Sequence, residues 1–347
     1  MASRVFSGMV TSAVAAISMP SPAKCWALVA VVAFATVRGL SQSGAGTTPP
    51  PYAPAYYFGT QGDPPELVVF PPARSPVVIR LPSPDLPRAL AFTPDGRAIF
   101  TTINTIKSPR TPGHPARLGP PRLIRIDLSP VQVSTVADFV GLDSVSGLVI
   151  MPSGDRILFT GRSWNGNVVS NLFEIGSSGG DFKVLLPRFG AVDGVSPDGS
   201  KVLAQLVDGL AIIDIATGAA VPLGKGLWKG AWSPDGRWIA ALQLDPESEQ
   251  PRPRLSRTIL IDAHDFSQRR DMGGESDVEV CWSPDSRYLL YSETQRFCSG
   301  TGVSLLTMDI ESGKRATVKE SKCIVKGRQK IGWVSLDVVT EGGSVQR

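Results

Sequence analysis

From about residue 64 onward the chain alternates short apolar runs with compact polar breaks. The clearest break lies in "AWSPDGRWIA" (231–240), where Ser-Pro-Asp-Gly separates two apolar segments. Proline fixes its own φ and offers no N–H, aspartate bonds back to nearby backbone, and glycine accepts a positive φ. Two strand-like runs around such a turn predict a β-hairpin. The same pattern returns as "AFTPDGRAIF" (91–100), "IMPSGDRILF" (150–159), "GVSPDGSKVL" (194–203) and "CWSPDSRYLL" (281–290). The copies align without gaps on Pro94, Pro152, Pro197, Pro234 and Pro284. Asp95, Asp198, Asp235 and Asp285 are therefore expected as structural turn residues. Ser286 stands where glycine is the rule, and a left-handed backbone there costs about 1 kcal/mol.

A second hairpin follows each first one. "LIRIDLSPVQVSTV" (123–136), "LFEIGSSGGDFKVLL" (172–186), "LAIIDIATGAAVPL" (210–223), "TILIDAHDFSQRR" (258–270) and "SLLTMDIESGKRATV" (304–318) each read strand, small polar turn, strand. Each repeat thus holds four strands, and four strands repeating at roughly forty to fifty residues predict a β-propeller. Five full units are visible. "KIGWVSLDVVTE" (330–341) resembles an opening half, with Trp333 where Trp232 sits, and "LVVFPPARSPVVIRL" (67–81) resembles a closing half. Joined, they make a sixth blade and leave no open sheet edge at the termini. The expected fold is all-β: a six-bladed propeller over 64–345, closed by pairing the N- and C-terminal segments. Five blades with ragged ends is the alternative.

The W-S-P-D-G-R-x-I motif, followed by an I-x-D-x-x-x-G strand pair, resembles the WD-repeat-like propeller repeats of the TolB type. The resemblance covers about four-fifths of the chain. It implies a six-bladed propeller, often in bacterial envelope proteins, that serves as a protein-interaction platform. Here only a short tail precedes the propeller, not an α/β domain.

Composition changes this picture little. The 347 residues are 42% hydrophobic with 35 glycines and 30 prolines, as many strands and turns require. The net charge of +4 is spread among interspersed acids and bases, which argues against nucleic-acid binding. The N-terminus is different in kind. "CWALVAVVAFATV" (25–37) lies between Lys24 and Arg38, too short for a span of about twenty residues and of signal-peptide size. Residues 1–43 are expected as a signal peptide, with Met19 an alternative start, or as an uncleaved anchor. Residues 44–63 read as a Pro-rich flexible linker. The chain is expected to be exported, periplasmic or extracellular, or held at the inner membrane by 25–37. Membrane contact is expected only through that segment. A Cys298–Cys323 disulfide fits an oxidising compartment, since both lie in loops of one propeller face.

Candidate chemistry is sparse. The two histidines, His114 and His264, fall in loops of opposite faces. No serine-hydrolase elbow, C-x-x-C, H-E-x-x-H or phosphate loop occurs. Asp193, Asp277 and Glu279 are read as preceding first strands, which line the channel. They are the candidates for a hydrolase or lyase with Ca²⁺; otherwise no cofactor or metal is expected. The loops on one face carry Arg110, His114, Arg117, Trp164, Trp228, Arg252 and Arg254. Trp and Arg on a rigid loop face are typical interface anchors. The leading expectation is therefore a non-catalytic platform for a protein or peptide partner. A channel enzyme and a membrane-anchored sensor are the alternatives.

Overall fold

The computed structural model describes residues 52–59, 66–71, 75–80, 89–108, 117–164, 168–244, 256–273, 280–297, 300–319 and 328–341. They lie in the unit Gly46–Arg347. The N-terminal segment supplies β1 (Tyr52–Gly59), β2 (Glu66–Val69) and β3 (Val77–Arg80). Blade one follows as β4 (Leu90–Phe92), β5 (Ala98–Ser108), β6 (Arg117–Leu128) and β7 (Val131–Asp138). Blade two is β8 (Ser144–Ile150), β9 (Arg156–Trp164), β10 (Val168–Gly176) and β11 (Lys183–Leu186). Blade three is β12 (Ala191–Val195), β13 (Lys201–Leu206), β14 (Gly209–Asp214) and β15 (Ala220–Lys225). Blade four is β16 (Leu227–Trp232), β17 (Trp238–Leu244), β18 (Ser256–Asp262) and β19 (Arg269–Gly273). Blade five is β20 (Val280–Trp282), β21 (Tyr288–Phe297), β22 (Gly300–Asp309) and β23 (Arg315–Lys319). The described residues end in β24 (Arg328–Ser335) and the short helix α1 (Leu336–Glu341).

All six sheets are four-stranded and antiparallel, and the last has the order β24-β1-β2-β3. The first strands touch in cyclic order β4, β8, β12, β16, β20, β24 and back to β4, so the ring is closed. The core is divided accordingly. Six apolar clusters form, one in each slab between neighbouring blades. Both faces of a blade are therefore buried, which is why strands such as Val202-Leu203-Ala204 read as unbroken apolar runs rather than alternating ones.

Closure differs from the expected two-plus-two arrangement. The N-terminus gives three strands and the C-terminus one. Tyr52–Gly59, expected within a flexible linker, is a strand paired along its length with β24, Pro54 opposite Trp333 and Ala55 opposite Gly332. Ala53 and Ala55 are fully buried in the slab between blades six and one. Proline normally argues against an inner strand. Here the Pro54 carbonyl still accepts the Phe70 N–H at 2.9 Å, and its ring replaces a donor within one pair only. The propeller thus begins at Tyr52 rather than 64. Beyond Ser335 the chain turns into α1 instead of a second strand, because β1 already occupies that place. Trp333 does sit in the slab facing the preceding blade, as Trp232 and Trp282 do.

The Ser-Pro-Asp-Gly turns share one bonding pattern. Thr93, Ser196, Ser233 and Ser283 donate their hydroxyls to Oδ1 of Asp95, Asp198, Asp235 and Asp285 at 2.5, 2.5, 2.6 and 2.5 Å. Each carboxylate also accepts a backbone N–H two residues on, from Arg97, Ser200, Arg237 and Arg287. Each hydroxyl accepts from the first residue of the returning strand, Ala98, Lys201, Trp238 or Tyr288. Ser335 and Asp337 repeat the hydroxyl–carboxylate pair without the proline, and Arg97 of blade one pairs with Asp337. The ring is sealed on this turn face by the Ser335 N–H donating to the Gly96 carbonyl at 3.1 Å.

Candidate functional site

Strand order divides the loops between two faces. The turns joining first to second and third to fourth strands leave one side, the turn face. The loops joining second to third strands, and the links between blades, leave the other, here the mouth face.

Three consecutive first strands are bulged near the mouth. The extra residue falls at Ser146-Gly147 in β8, at Asp193 before Gly194 in β12, and at Lys229-Gly230 in β16. A bulge adds one residue against the neighbouring strand and re-aims a side chain. Each bulge thus pairs a polar residue with a glycine. Two of the glycines are needed for contact: a Cβ on Gly147 would lie 2.6 Å from the Val192 carbonyl oxygen, and one on Gly230 2.6 Å from Leu210 Cδ2. Lys229 is itself left-handed, φ 54°. Asp193 Oδ2 accepts the Gly230 N–H at 3.3 Å, tying the bulge of blade three to that of blade four.

Polar side chains from the second strands fix the links above. Thr160 Oγ1 donates to the Gly190 carbonyl at 3.0 Å and accepts the Val192 N–H at 2.9 Å. Gln205 Nε2 donates to the Leu227 carbonyl at 3.4 Å. The rim is thereby held on rigid elements while its tips face solvent. Among the described residues, exposed large hydrophobics occur only on outer strands and on this rim. The rim set is Val140, three-quarters exposed, with Val169, Leu206 and a fully exposed Val207. Arg162, Arg188 and Lys225 are exposed nearby and make no ion pair with a described side chain.

Trp228, expected as an exposed loop anchor, lies in β16 instead. It is half-buried, pairs with Leu242, and packs in the slab between blades four and five, its Nε1 buried without a hydrogen-bond partner among the described residues. Trp164 ends β9 opposite Val168, and Arg117 opens β6 opposite Ser108, so both backbones reach the mouth face. The side chains of Trp164 and Arg117 lie outside the described residues, as do Arg110, His114, Arg252, Arg254, Asp277, Glu279, Cys298 and Cys323. Asp193 alone of the channel acids is described. Ser146 and Lys229 went unread in the sequence; the polar-Gly pair ahead of three of the five Pro turns was the available signal.

No family model matches the chain, and no curated protein does. Solved structures do. TolB from Acinetobacter baumannii superposes with a TM-score of 0.58 at 20% identity, over 81% of this chain and 66% of that one. The fold is that of a TolB-type β-propeller. The Agrobacterium tumefaciens protein classed as TolB gives 0.52 at 17% identity, over 82% and 97% of the two chains. A puromycin hydrolase gives 0.50 at 16%, over 79% of this chain but 46% of that one.

The electrostatics of this TolB-type propeller set its faces apart. Its displaced carboxylates lie on the turn face, and all are lowered. The Ser196 hydroxyl, then backbone and side chain of Ser200, bring Asp198 to about 2. Neighbouring hydroxyls of Ser153, Thr217, Ser267 and Ser335 likewise lower Asp155, Asp214, Asp265 and Asp337. Such groups stay ionised at neutral pH, and none is tuned towards general-acid work. Among the described residues no cluster of three or more His, Cys, Asp or Glu gathers. No described helix is long and apolar enough to cross a membrane.

Proposed function

We propose that this TolB-type propeller is an exported, non-catalytic platform that binds a protein or peptide segment on its mouth face. The observation carrying this reading is the rim of Val140, Val169, Leu206 and Val207 beside exposed Arg162 and Arg188, which make no ion pair with a described side chain. Apolar tips on bonded, well-packed links offer anchors at low ordering cost, and the flanking cations give orientation. On the turn face Arg125, Arg156, Arg287 and Arg97 are ion-paired with Asp127, Glu174, Asp309 and Asp337. Export rests on the apolar segment 25–37, acting as a signal core or as an anchor.

The test is capture of envelope proteins on the immobilised chain. Val207→Asp with Val140→Asp is expected to reduce capture at least about tenfold, with the melting temperature within about 1 °C of the parent. Trp164→Ala should act in the same direction. Equal capture by the parent and the double variant would remove the reading. The enzyme alternative needs Asp193 to act with Asp277 and Glu279. One oxygen of Asp193 already serves the Gly230 N–H. Melting with Ca²⁺ against EDTA tests that alternative, which requires a Ca²⁺-dependent rise.

A further inference from the structure

The outer wall of the propeller carries six sheet edges, and one differs from the rest. Fourth strands expose unpaired N–H and C=O groups, which proteins guard with short length, charge, proline or bulges. β3 is four residues with Arg80, and β11 four with Lys183. β15 holds Pro222 and Lys225, β19 opens Arg269-Arg270-Asp271, and β23 has Arg315 and Lys319. β7 is eight residues, Val-Gln-Val-Ser-Thr-Val-Ala-Asp, uncharged and proline-free until its last position.

The bulges sharpen the contrast. β7, β11, β15, β19 and β23 each bulge, at Val136, Leu185, Leu223, Met272 and Val318. Two of those carbonyls are covered by the next blade: Arg269 donates to Leu223 and Arg315 to Met272. Beside Val136, the Gly179 turn approaches so closely that a Cβ there would be 2.6 Å from its carbonyl oxygen. Among the described residues, what remains open is the regular stretch before the bulge. It is two or three residues in β11, β15, β19 and β23, four in the unbulged β3, which ends in Arg80, and five in β7, Val131–Thr135, every one exposed. At about 3.4 Å per residue that is an edge of roughly 17 Å.

We propose that this edge pairs antiparallel with the same edge of a second copy of the chain, about a two-fold axis through Val133. The strand is complementary to itself. Val131 then faces Thr135, Gln132 faces Ser134, and Val133 faces Val133, with no like charges opposed. β-Branched cross-strand pairs of this kind are favourable, and both backbone rows are satisfied. Val131 and Val133, 44% and 36% exposed, lose water in the same step. The surface is small, so the dimer is weak, with a dissociation constant of about 100 µM. The edge lies on the outer wall, away from the mouth face, so it leaves partner binding free.

Sedimentation velocity on the full chain across concentration tests this. The parent is expected to shift from monomer to dimer. Val133→Lys sets two ammonium groups face to face on the axis and should weaken association at least about tenfold without lowering the melting temperature. Gln132→Lys with Ser134→Glu creates two opposite-charge pairs across the axis. Within the chain those residues lie beside Asp127 and Arg125, so folding tolerates both. This double variant should associate at least as well as the parent and lose that association in high salt. A parent that stays monomeric, or a Val133→Lys chain that dimerises equally, overturns the proposal.

Discussion

Ser286 shows what one residue can cost and return. It adopts φ 61° in a turn where four sister copies use glycine at φ 66–76°. A Cβ in that region is strained by about 1 kcal/mol. Its Oγ accepts the Asp235 N–H at 2.9 Å, a bond between blades four and five that glycine could not make. The two effects nearly offset. Ser286→Gly is expected to leave stability within about 0.5 kcal/mol of the parent, while Ser286→Ala keeps the strain, loses the bond and costs about 1 kcal/mol. Thermal melting of the pair checks this. Asp198 makes the corresponding point about charge. Its folded value of about 2 lies below the 3.8 of the free side chain. Its contribution is therefore complete above about pH 4 and is lost as pH falls towards 2. Asp198→Asn should flatten the fall in stability across that window, read from melting temperatures at stepped pH. An unchanged slope would mean the Ser196 hydroxyl does not hold the ionised form.

At the scale of elements, sequence pattern and observed strand agree wherever a hairpin is local. Pro234-Asp235-Gly236 and its sisters specify their own geometry through bonds spanning five residues or fewer, so they are legible in one dimension. β1 is the counter-example. Tyr-Ala-Pro-Ala-Tyr-Tyr-Phe-Gly shows no apolar–polar alternation, and its proline speaks against a strand. It becomes a strand because it is paired on both edges, by β2 on one side and along its whole length by β24, from the far end of the chain, on the other. Removal of β1 by starting the chain at Thr60 should therefore abolish cooperative melting, whereas starting at Pro51 should preserve it. Equal, cooperative melting of the two would show that β1 is dispensable to the ring. The bulges of β8, β12 and β16 are of the same kind. A polar-Gly pair is visible in sequence, but its meaning depends on the adjacent blade that the missing Cβ allows to approach.

For the molecule as a whole, stability is shared among six slabs that each need two blades. A blade taken alone would expose both apolar faces, so the ring is the unit that folds. The sequence by itself determined the repeat, the four strands of each unit, the six-bladed count and the turn aspartates, because all of these rest on short-range backbone preference and on apolar periodicity. Only the tertiary structure decided the three-plus-one closure, the packing of Trp228 between two blades, the tying of Asp193 to the Gly230 bulge, and which of six outer edges presents the longest regular stretch. Those depend on which surfaces meet across the ring, and a contact between residues far apart in the chain leaves no periodic trace in either one.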